Sequence, residues 1–233
     1  MKKFLLFLTI LLLFISCNGQ EKKERKLFFE NGQVKEIAQY DKYEKLTGEA
    51  KSYYQNGELE RIGQYENGKQ VGEWKQYFNN GQLSIIGNFD NGLQTGFWTY
   101  YYKTGKLRGS VKFLQGKMKG EWKEYHENGE LAGIGNYEDG GKTGEWRYYY
   151  DNRQLTSIGH CQNGKNIGEW KYYYKNGKLL KIGNYIEDKE TGEWKEYYEN
   201  GQLESVGQYK DGEQVGEWKY YDEQGNLIKT EKY

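Results

Sequence analysis

Gly72-Glu73-Trp74-Lys75-Gln76-Tyr77-Phe78 decides how the rest of the chain is read, because close copies of it recur to the C-terminus. The leading glycine returns at Gly48, Gly72, Gly96, Gly120, Gly144, Gly168, Gly192 and Gly216, a spacing of 24 residues each time. All seven tryptophans (Trp74, Trp98, Trp122, Trp146, Trp170, Trp194, Trp218) stand two residues after such a glycine. Self-similarity at a constant period of this length is the mark of a repeat architecture.

Outward from that heptapeptide, one unit continues through Asn80-Gly81, Leu83, Ile86-Gly87, Phe89 and Asn91-Gly92 before the next copy at Gly96. Asn-Gly between aromatic or β-branched residues is a strong hairpin signal, since a type I′ turn needs positive φ at both central positions. The first turn of the unit recurs at Asn31-Gly32, Asn56-Gly57, Asn128-Gly129, Asn176-Gly177 and Asn200-Gly201. The second recurs at Asn67-Gly68, Asn163-Gly164, Asp139-Gly140 and Asp211-Gly212, and Glu187-Asp188 has lost the signature. Proline, which removes a ladder donor, is absent, and aromatic residues make up 17% of the chain. The fold class is therefore all-β: an antiparallel β-hairpin repeat array, a single elongated, twisted or coiled β-meander or solenoid of 24-residue units. No helix is expected after Cys17.

Turn positions set an expected register. A two-residue turn at Asn80-Gly81 would pair Phe78 with Leu83, Tyr77 with Ser84 and Trp74 with Gly87, placing Leu83 on the tryptophan face. Indole over glycine is a cross-strand arrangement that covers the gap a glycine leaves. Successive inter-turn segments differ by two residues, so either the strands shear by two residues per unit or a β-bulge absorbs the difference. The turn at Asn67-Gly68 would set Gly63 against Gly72, which is where a bulge is expected. The tryptophans are read as the structural repeat core.

Lysine and arginine total 34, as do aspartate and glutamate. Loss of Lys2 and Lys3 with a leader would leave 32 against 34. No basic stripe points to nucleic acid, and none is expected as a partner. After Lys2-Lys3, the run from Phe4 to Ile15 is apolar apart from Thr9, the length of a signal peptide rather than of a bilayer span. Phe14-Ile15-Ser16-Cys17 resembles the lipobox of bacterial lipoproteins, which implies that Cys17 is lipidated and becomes the mature N-terminus. Three segments follow: a lipoprotein signal peptide over 1–17, a polar tether over 18–26 and the repeat array over 27–233. Two or more acyl chains would hold the chain at a membrane surface, on the cell membrane or outer membrane with the array outside the cytoplasm. Cys161 is the other cysteine and fills a slot held by Tyr137 and Tyr185 in neighbouring units, so it reads as a small apolar substitute and no disulfide is expected.

The run Tyr65-Glu66-Asn67-Gly68-Lys69-Gln70-Val71-Gly72-Glu73-Trp74, with its copies over about residues 27–233, resembles the MORN repeat (membrane occupation and recognition nexus). It is most similar to the bacterial variant found in proteins labelled YwqK-family antitoxins. The resemblance implies membrane-proximal scaffolding and protein–protein contact, and its antitoxin label adds a toxin–antitoxin role as an alternative. No residue of the chain carries that role by itself.

Chemistry of other kinds finds little footing. His126 and His160, the two histidines, fall in Tyr/Phe and Asn/Gln columns and on opposite faces of the expected register, so no metal or catalytic site is read. The recurrent glutamates (Glu73, Glu121, Glu145, Glu169, Glu193, Glu217) beside a lysine column read as solvated alternating charge. The chain is expected not to be an enzyme and to need no cofactor. The tyrosine column Tyr77, Tyr101, Tyr125, Tyr149, Tyr173, Tyr197 and Tyr221 is the candidate binding surface, since tyrosine joins apolar area to a polar tip. The function expected is a membrane-anchored repeat scaffold, monomeric, meeting another envelope protein. The alternative of another class is a carbohydrate- or peptidoglycan-binding module using the Tyr and Trp columns.

Overall fold

A computed structural model describes Phe14–Ile15 and residues 22–233, and the described residues contain strands and turns but no helix. Cys17 and most of the segment read as a leader lie outside the described residues. Strand β1 (Phe14–Ile15) pairs antiparallel with β2 (Lys22–Phe28), so strand pairing reaches into the segment read as a tether.

Two compact units are formed. The first takes the described residues up to Leu107 with Phe113–Gly116, the second Arg108–Lys112 with Lys117–Tyr233. In the first unit β2 is followed by β3 (Val34–Tyr40), β4 (Leu46–Tyr53), β5 (Leu59–Glu66), β6 (Lys69–Tyr77), β7 (Leu83–Asp90) and β8 (Leu93–Tyr101). Each of these pairs antiparallel with the next. Strand β9 (Leu107–Leu114) gives residues to both units. The second unit carries β10 (Lys117–Tyr125), β11 (Leu131–Glu138), β12 (Gly141–Tyr149), β13 (Leu155–Gln162) and β14 (Lys165–Tyr173). It continues through β15 (Leu179–Ile186), β16 (Lys189–Tyr197), β17 (Leu203–Lys210), β18 (Glu213–Tyr221) and β19 (Leu227–Lys232), again each against the next.

The two Asn-Gly turns of a unit differ in kind. At the second, Asn67 and Gly68 have φ of 51° and 80°, the type I′ geometry expected, and Glu66 pairs directly with Lys69. Glu187 and Asp188 keep this geometry with φ of 49° and 70°, correcting the reading that the turn is lost there. Asp188 is held in its left-handed conformation by a carboxylate that accepts the Asn166 backbone N–H at 2.7 Å. The first turn is longer than expected. Phe78 N–H donates to the Gln82 carbonyl, Gly81 N–H to the Phe78 carbonyl, and only Gly81 of the central residues has positive φ (80°). This is a three-residue loop, a type I turn closed by a glycine bulge. Asn80 Oδ1 accepts the Gln82 N–H at 3.2 Å, stabilising the loop from within.

That extra loop residue shifts the pairing near the turn. Tyr77 stands opposite Leu83 and Gln76 opposite Ile85, with Ser84 skipped; the expected Phe78–Leu83 and Tyr77–Ser84 pairs are not formed. Because the bulge absorbs one residue, Trp74 still falls opposite Gly87, as expected. Leu83 consequently belongs to the face of Lys75 and Tyr77, not to the tryptophan face. The second bulge lies where the sequence places it: the β5–β6 register breaks between Ile62 and Gln64, and Gly72 has φ of 64°. Only glycine takes that backbone without strain, which accounts for the 24-residue glycine column.

The core sits on the tryptophan face. Trp74, Trp98, Trp146, Trp170, Trp194 and Trp218 are each no more than 4% exposed. Although Trp74 pairs with Gly87 through the backbone, its indole leans the other way, over Gly63 of the preceding strand. A methyl carbon placed on Gly63 would stand 2.1 Å from Trp74 Cδ2, and the same holds at 2.2 Å for Gly87 and Trp98. The indole N–H donates to the carbonyl beyond that glycine, Trp74 to Gln64 and Trp98 to Asn88, both at 3.2 Å. Aromatic rings from alternate strands fill the gaps edge-on. Tyr65, Trp74, Phe89 and Trp98 form one such ladder with centroids 5.1–5.9 Å apart, and Tyr185, Trp194, Tyr209 and Trp218 another at 5.2–5.9 Å.

One unit breaks the rule and shows what it costs. Val111 occupies the glycine slot, fully buried, and Trp122 moves over Gly109 two residues earlier. A methyl carbon on Gly109 would meet the Trp122 ring at 3.1 Å. At the N-terminal end the slots of glycine and tryptophan hold Ala38 and Ala50, which face each other, both buried.

Candidate functional site

The tyrosine column lies on the face opposite the tryptophans. Each ring of Tyr77, Tyr101, Tyr125, Tyr149, Tyr173, Tyr197 and Tyr221 is half-buried. Tyr77, Tyr125, Tyr149, Tyr173, Tyr197 and Tyr221 pair across the ladder with Leu83, Leu131, Leu155, Leu179, Leu203 and Leu227. Their backbone is anchored from the neighbouring hairpin, because the hydroxyls of Tyr54, Tyr150, Tyr174 and Tyr198 donate to the carbonyls of Tyr77, Tyr173, Tyr197 and Tyr221 at 2.7–2.9 Å. His126 takes the same role, its Nε2–H donating to the Tyr149 carbonyl at 2.8 Å. It is a structural substitute for tyrosine. His160 is exposed on its strand, and the described residues hold no cluster of side chains able to bind a metal.

Between the tyrosine rings the expected charge columns are present as ion pairs two residues apart on one strand. Lys75 meets Glu73 at 2.8 Å, Lys171 meets Glu169 at 2.9 Å and Lys195 meets Glu193 at 2.7 Å. These are exposed pairs, individually weak. Their consequence is a near-neutral surface of alternating sign around the Tyr–Leu pairs.

On the tryptophan face, Cys161 is buried and its thiol lies 3.4 Å from Asn166 Oδ1. Burial pushes the Cys161 thiol above its ordinary range, so it is not an activated nucleophile. Around it, Lys142 Nζ donates to Tyr148 Oη at 2.6 Å, and burial pushes the Tyr148 phenol up to about 12. Six of the seven tryptophans are too deeply buried to offer an indole platform to a ligand, contrary to the part of the glycan reading that relied on the Trp column, while Trp122 is half-buried.

A cross-strand row runs beside the tryptophans in each unit. In the second it runs Gly133, Tyr148, Ser157, Tyr172, Lys181, Glu196, Ser205, Tyr220. Tyr148, Tyr172 and Tyr220 lie nearly parallel on Trp146, Trp170 and Trp218, with interplanar angles of 26–29°. In the first unit the row reads Glu36, Ser52, Arg61, Gln76, Ile85, Tyr100. Over the stretch from Glu36 to Gln76, which holds no tyrosine, a cleft of about 950 Å³ opens, walled by Phe29, Tyr54 and Phe78. The sequence offers this signal, since Gln76 and Ser52 stand where Tyr148 and Tyr172 do, but the row itself becomes visible only once the register is known.

Each of the bulges beside the first turn of a unit leaves one residue without a cross-strand partner. Glu204, skipped between Tyr197–Leu203 and Glu196–Ser205, has its carboxyl pushed above the usual range by burial and then by the Glu196 charge. The folded chain thus binds this proton more tightly than the unfolded one. Stability from this group is full below the unfolded value of about 4.3 and is lost as pH rises through the raised folded value. Glu204→Gln should therefore raise the melting temperature at about pH 7 and leave it unchanged at about pH 3, measured by thermal unfolding at both.

The family profile described as "MORN repeat variant" matches residues 23–42, 46–67, 70–91, 118–139, 167–187, 190–211 and 214–233. Its gaps coincide with the unit holding Val111 and the units joined through Asn152-Arg153 and Cys161. No curated protein matches the chain. Among solved structures, a GtfA/B complex bound to UDP and GlcNAc is similar at 12% identity and a TM-score of 0.19, over 54% of this chain and 22% of that one. TcdB2-TccC3 is similar at 15% identity and 0.23, over 89% and 14%. A porin-like protein from Bacteroides uniformis is similar at 10% and 0.22, over 94% and 92%. The chain spans less than a quarter of the length of the first two. With more than half of its residues matched by that profile, and a hairpin repeat throughout the described residues, the chain belongs to the MORN repeat variant family.

Proposed function

We propose that the chain is a non-enzymatic scaffold, anchored through a lipidated Cys17 at the bacterial envelope, that binds another envelope protein through its tyrosine–leucine face. The observation that carries this reading is the repeated Tyr–Leu cross-strand pair, half-buried and set among internally neutralised charges. Rings held by their backbone lose little freedom on contact, and tyrosine is enriched at interface anchors. A partner laid along the array would meet one such pair per hairpin, so affinity would grow with the number of units engaged.

Two measurements test it. A photo-cross-linker at Tyr173 should trap a defined envelope protein in cells, and Tyr149→Ser with Tyr197→Ser should abolish the product while the array stays folded by circular dichroism. Fatty-acid labelling should mark the native chain and not Cys17→Ser, with membrane attachment lost in parallel. Persistent cross-linking in the double variant would move the interface elsewhere, and an unlabelled cytosolic chain would favour the antitoxin alternative.

A further inference from the structure

We infer that the cleft of the first unit binds a neutral, extended β-1,4-linked oligosaccharide. The inference does not rest on the tyrosine–leucine pairs, although Tyr53 and Tyr77 also border the cleft.

The floor of the cleft is the row Glu36, Ser52, Arg61, Gln76. Neighbours in such a row are about 4.5–5.5 Å apart, so their polar tips can reach one ligand together. Arg61 lies with its guanidinium carbon 5.2 Å from the Trp74 ring centre, which braces a long side chain. Among the described residues no carboxylate lies within 4.0 Å of Arg61, and Glu36 and Gln76 make no side-chain hydrogen bond. The floor thus offers guanidinium donors, a carboxylate acceptor and an amide that does both, as vicinal sugar hydroxyls require. All three are half-buried, so a ligand that satisfies them replaces water at groups already partly withdrawn from it.

Charge and walls narrow the class. Lys35 and Glu60, the residues skipped at the adjoining bulges, also line the cleft and balance Arg61 and Glu36. Two acids against two bases disfavour a polyanion and suit a neutral ligand. Phe29, Tyr54 and Phe78 contribute one ring per hairpin along one wall, and the Tyr54 ring is locked by its hydroxyl on the Tyr77 carbonyl at 2.7 Å. Successive hairpins are two strands apart, about 9.6 Å. That is close to, though slightly shorter than, the repeat of an extended β-1,4 disaccharide, so alternate pyranose rings can each lie on an aromatic ring. The volume of about 950 Å³ falls in the upper part of the small-ligand range.

The variant that tests this is already written into the second unit. Gln76→Tyr places in the row the residue found at Tyr148, Tyr172 and Tyr220, where it stacks on tryptophan without harm. Binding of cellotetraose and of the N-acetylglucosamine tetramer is followed by isothermal titration to the purified full chain. Saturable binding of at least one is expected, weakened at least tenfold in Gln76→Tyr with an unchanged melting temperature, and unchanged in Tyr197→Ser on the opposite face. Arg61→Ala, expected to weaken binding similarly, serves should Gln76→Tyr fail to fold. No binding of either tetramer by the native chain, or equal binding by native and cleft variants, would overturn the inference. Loss of the Tyr173 cross-link with sugar binding intact would remove the proposed scaffold role alone.

Discussion

Replacing Gly159 by valine should destabilise the second unit by about 3 kcal/mol, the upper part of the usual range for overpacking. A methyl carbon at Gly159 would stand 2.2 Å from Trp170 Cδ2 and 2.4 Å from Cγ, far inside contact distance. The ring cannot simply withdraw. Its Nε1–H is bonded to the His160 carbonyl at 3.1 Å, and Tyr172 and Tyr185 pack on its face and edge. The chain also contains the compensating arrangement, since Val111 is tolerated where Trp122 sits over Gly109. Ser157 occupies the position equivalent to Gly109 and is 6% exposed, so its side chain fills the space a displaced Trp170 would need. Adding Ser157→Gly to Gly159→Val should therefore recover about 1 kcal/mol or more, a coupling expected of residues sharing one space. Urea unfolding followed by tryptophan emission gives both numbers. A Gly159→Val chain within about 0.5 kcal/mol of native would mean that the indole does not rest on that glycine.

The second large effect is the loss of one rung from the aromatic ladder. Trp194 is 2% exposed, meets Tyr185 at 5.2 Å and Tyr209 at 5.9 Å edge-on, and carries Lys181 over its ring at 5.3 Å. Trp194→Ala should cost about 3–5 kcal/mol, the transfer of a large side chain plus the cavity left between two rings that cannot close up. Trp122, half-buried over Gly109, should cost less than half as much when truncated. Because each repeat touches only its neighbours, hydrogen exchange should show the damage of Trp194→Ala confined to strands β15 to β18. Equal costs for Trp194→Ala and Trp122→Ala would remove the distinction between the two seats.

Much of the architecture can be read from the chain because its causes are local. The 24-residue period, the type I′ turn at Asn67-Gly68, the bulge at Gly63 and Gly72, and the Trp74–Gly87 pair each depend on residues close in sequence or joined by a short turn. Asn-Gly and a positive-φ glycine are direct statements about backbone dihedrals, and strand alternation carries them along the ladder. The candidate surface of Tyr77 and its copies was legible in the same way, as a column at constant spacing.

Three features needed the tertiary structure. Asn80-Gly81 closes a three-residue loop while Asn67-Gly68 closes a two-residue one, because the same dipeptide serves both and the bulge at Ser84 decides between them. That choice moves Leu83 to the tyrosine face. Trp74 has a glycine on each side, Gly63 and Gly87, and both can receive an indole; the left-handed turn of the backbone at Gly72 accompanies its lean onto Gly63. The cleft over Arg61 and Gln76 exists because Glu36, Ser52, Arg61 and Gln76, separated by 16, 9 and 15 positions in sequence, are brought side by side by strand pairing in a stretch of the row with no tyrosine among them. Periodicity states which residues repeat, but the direction in which a side chain leans depends on twist and bulge, and these arise only when neighbouring strands are hydrogen-bonded.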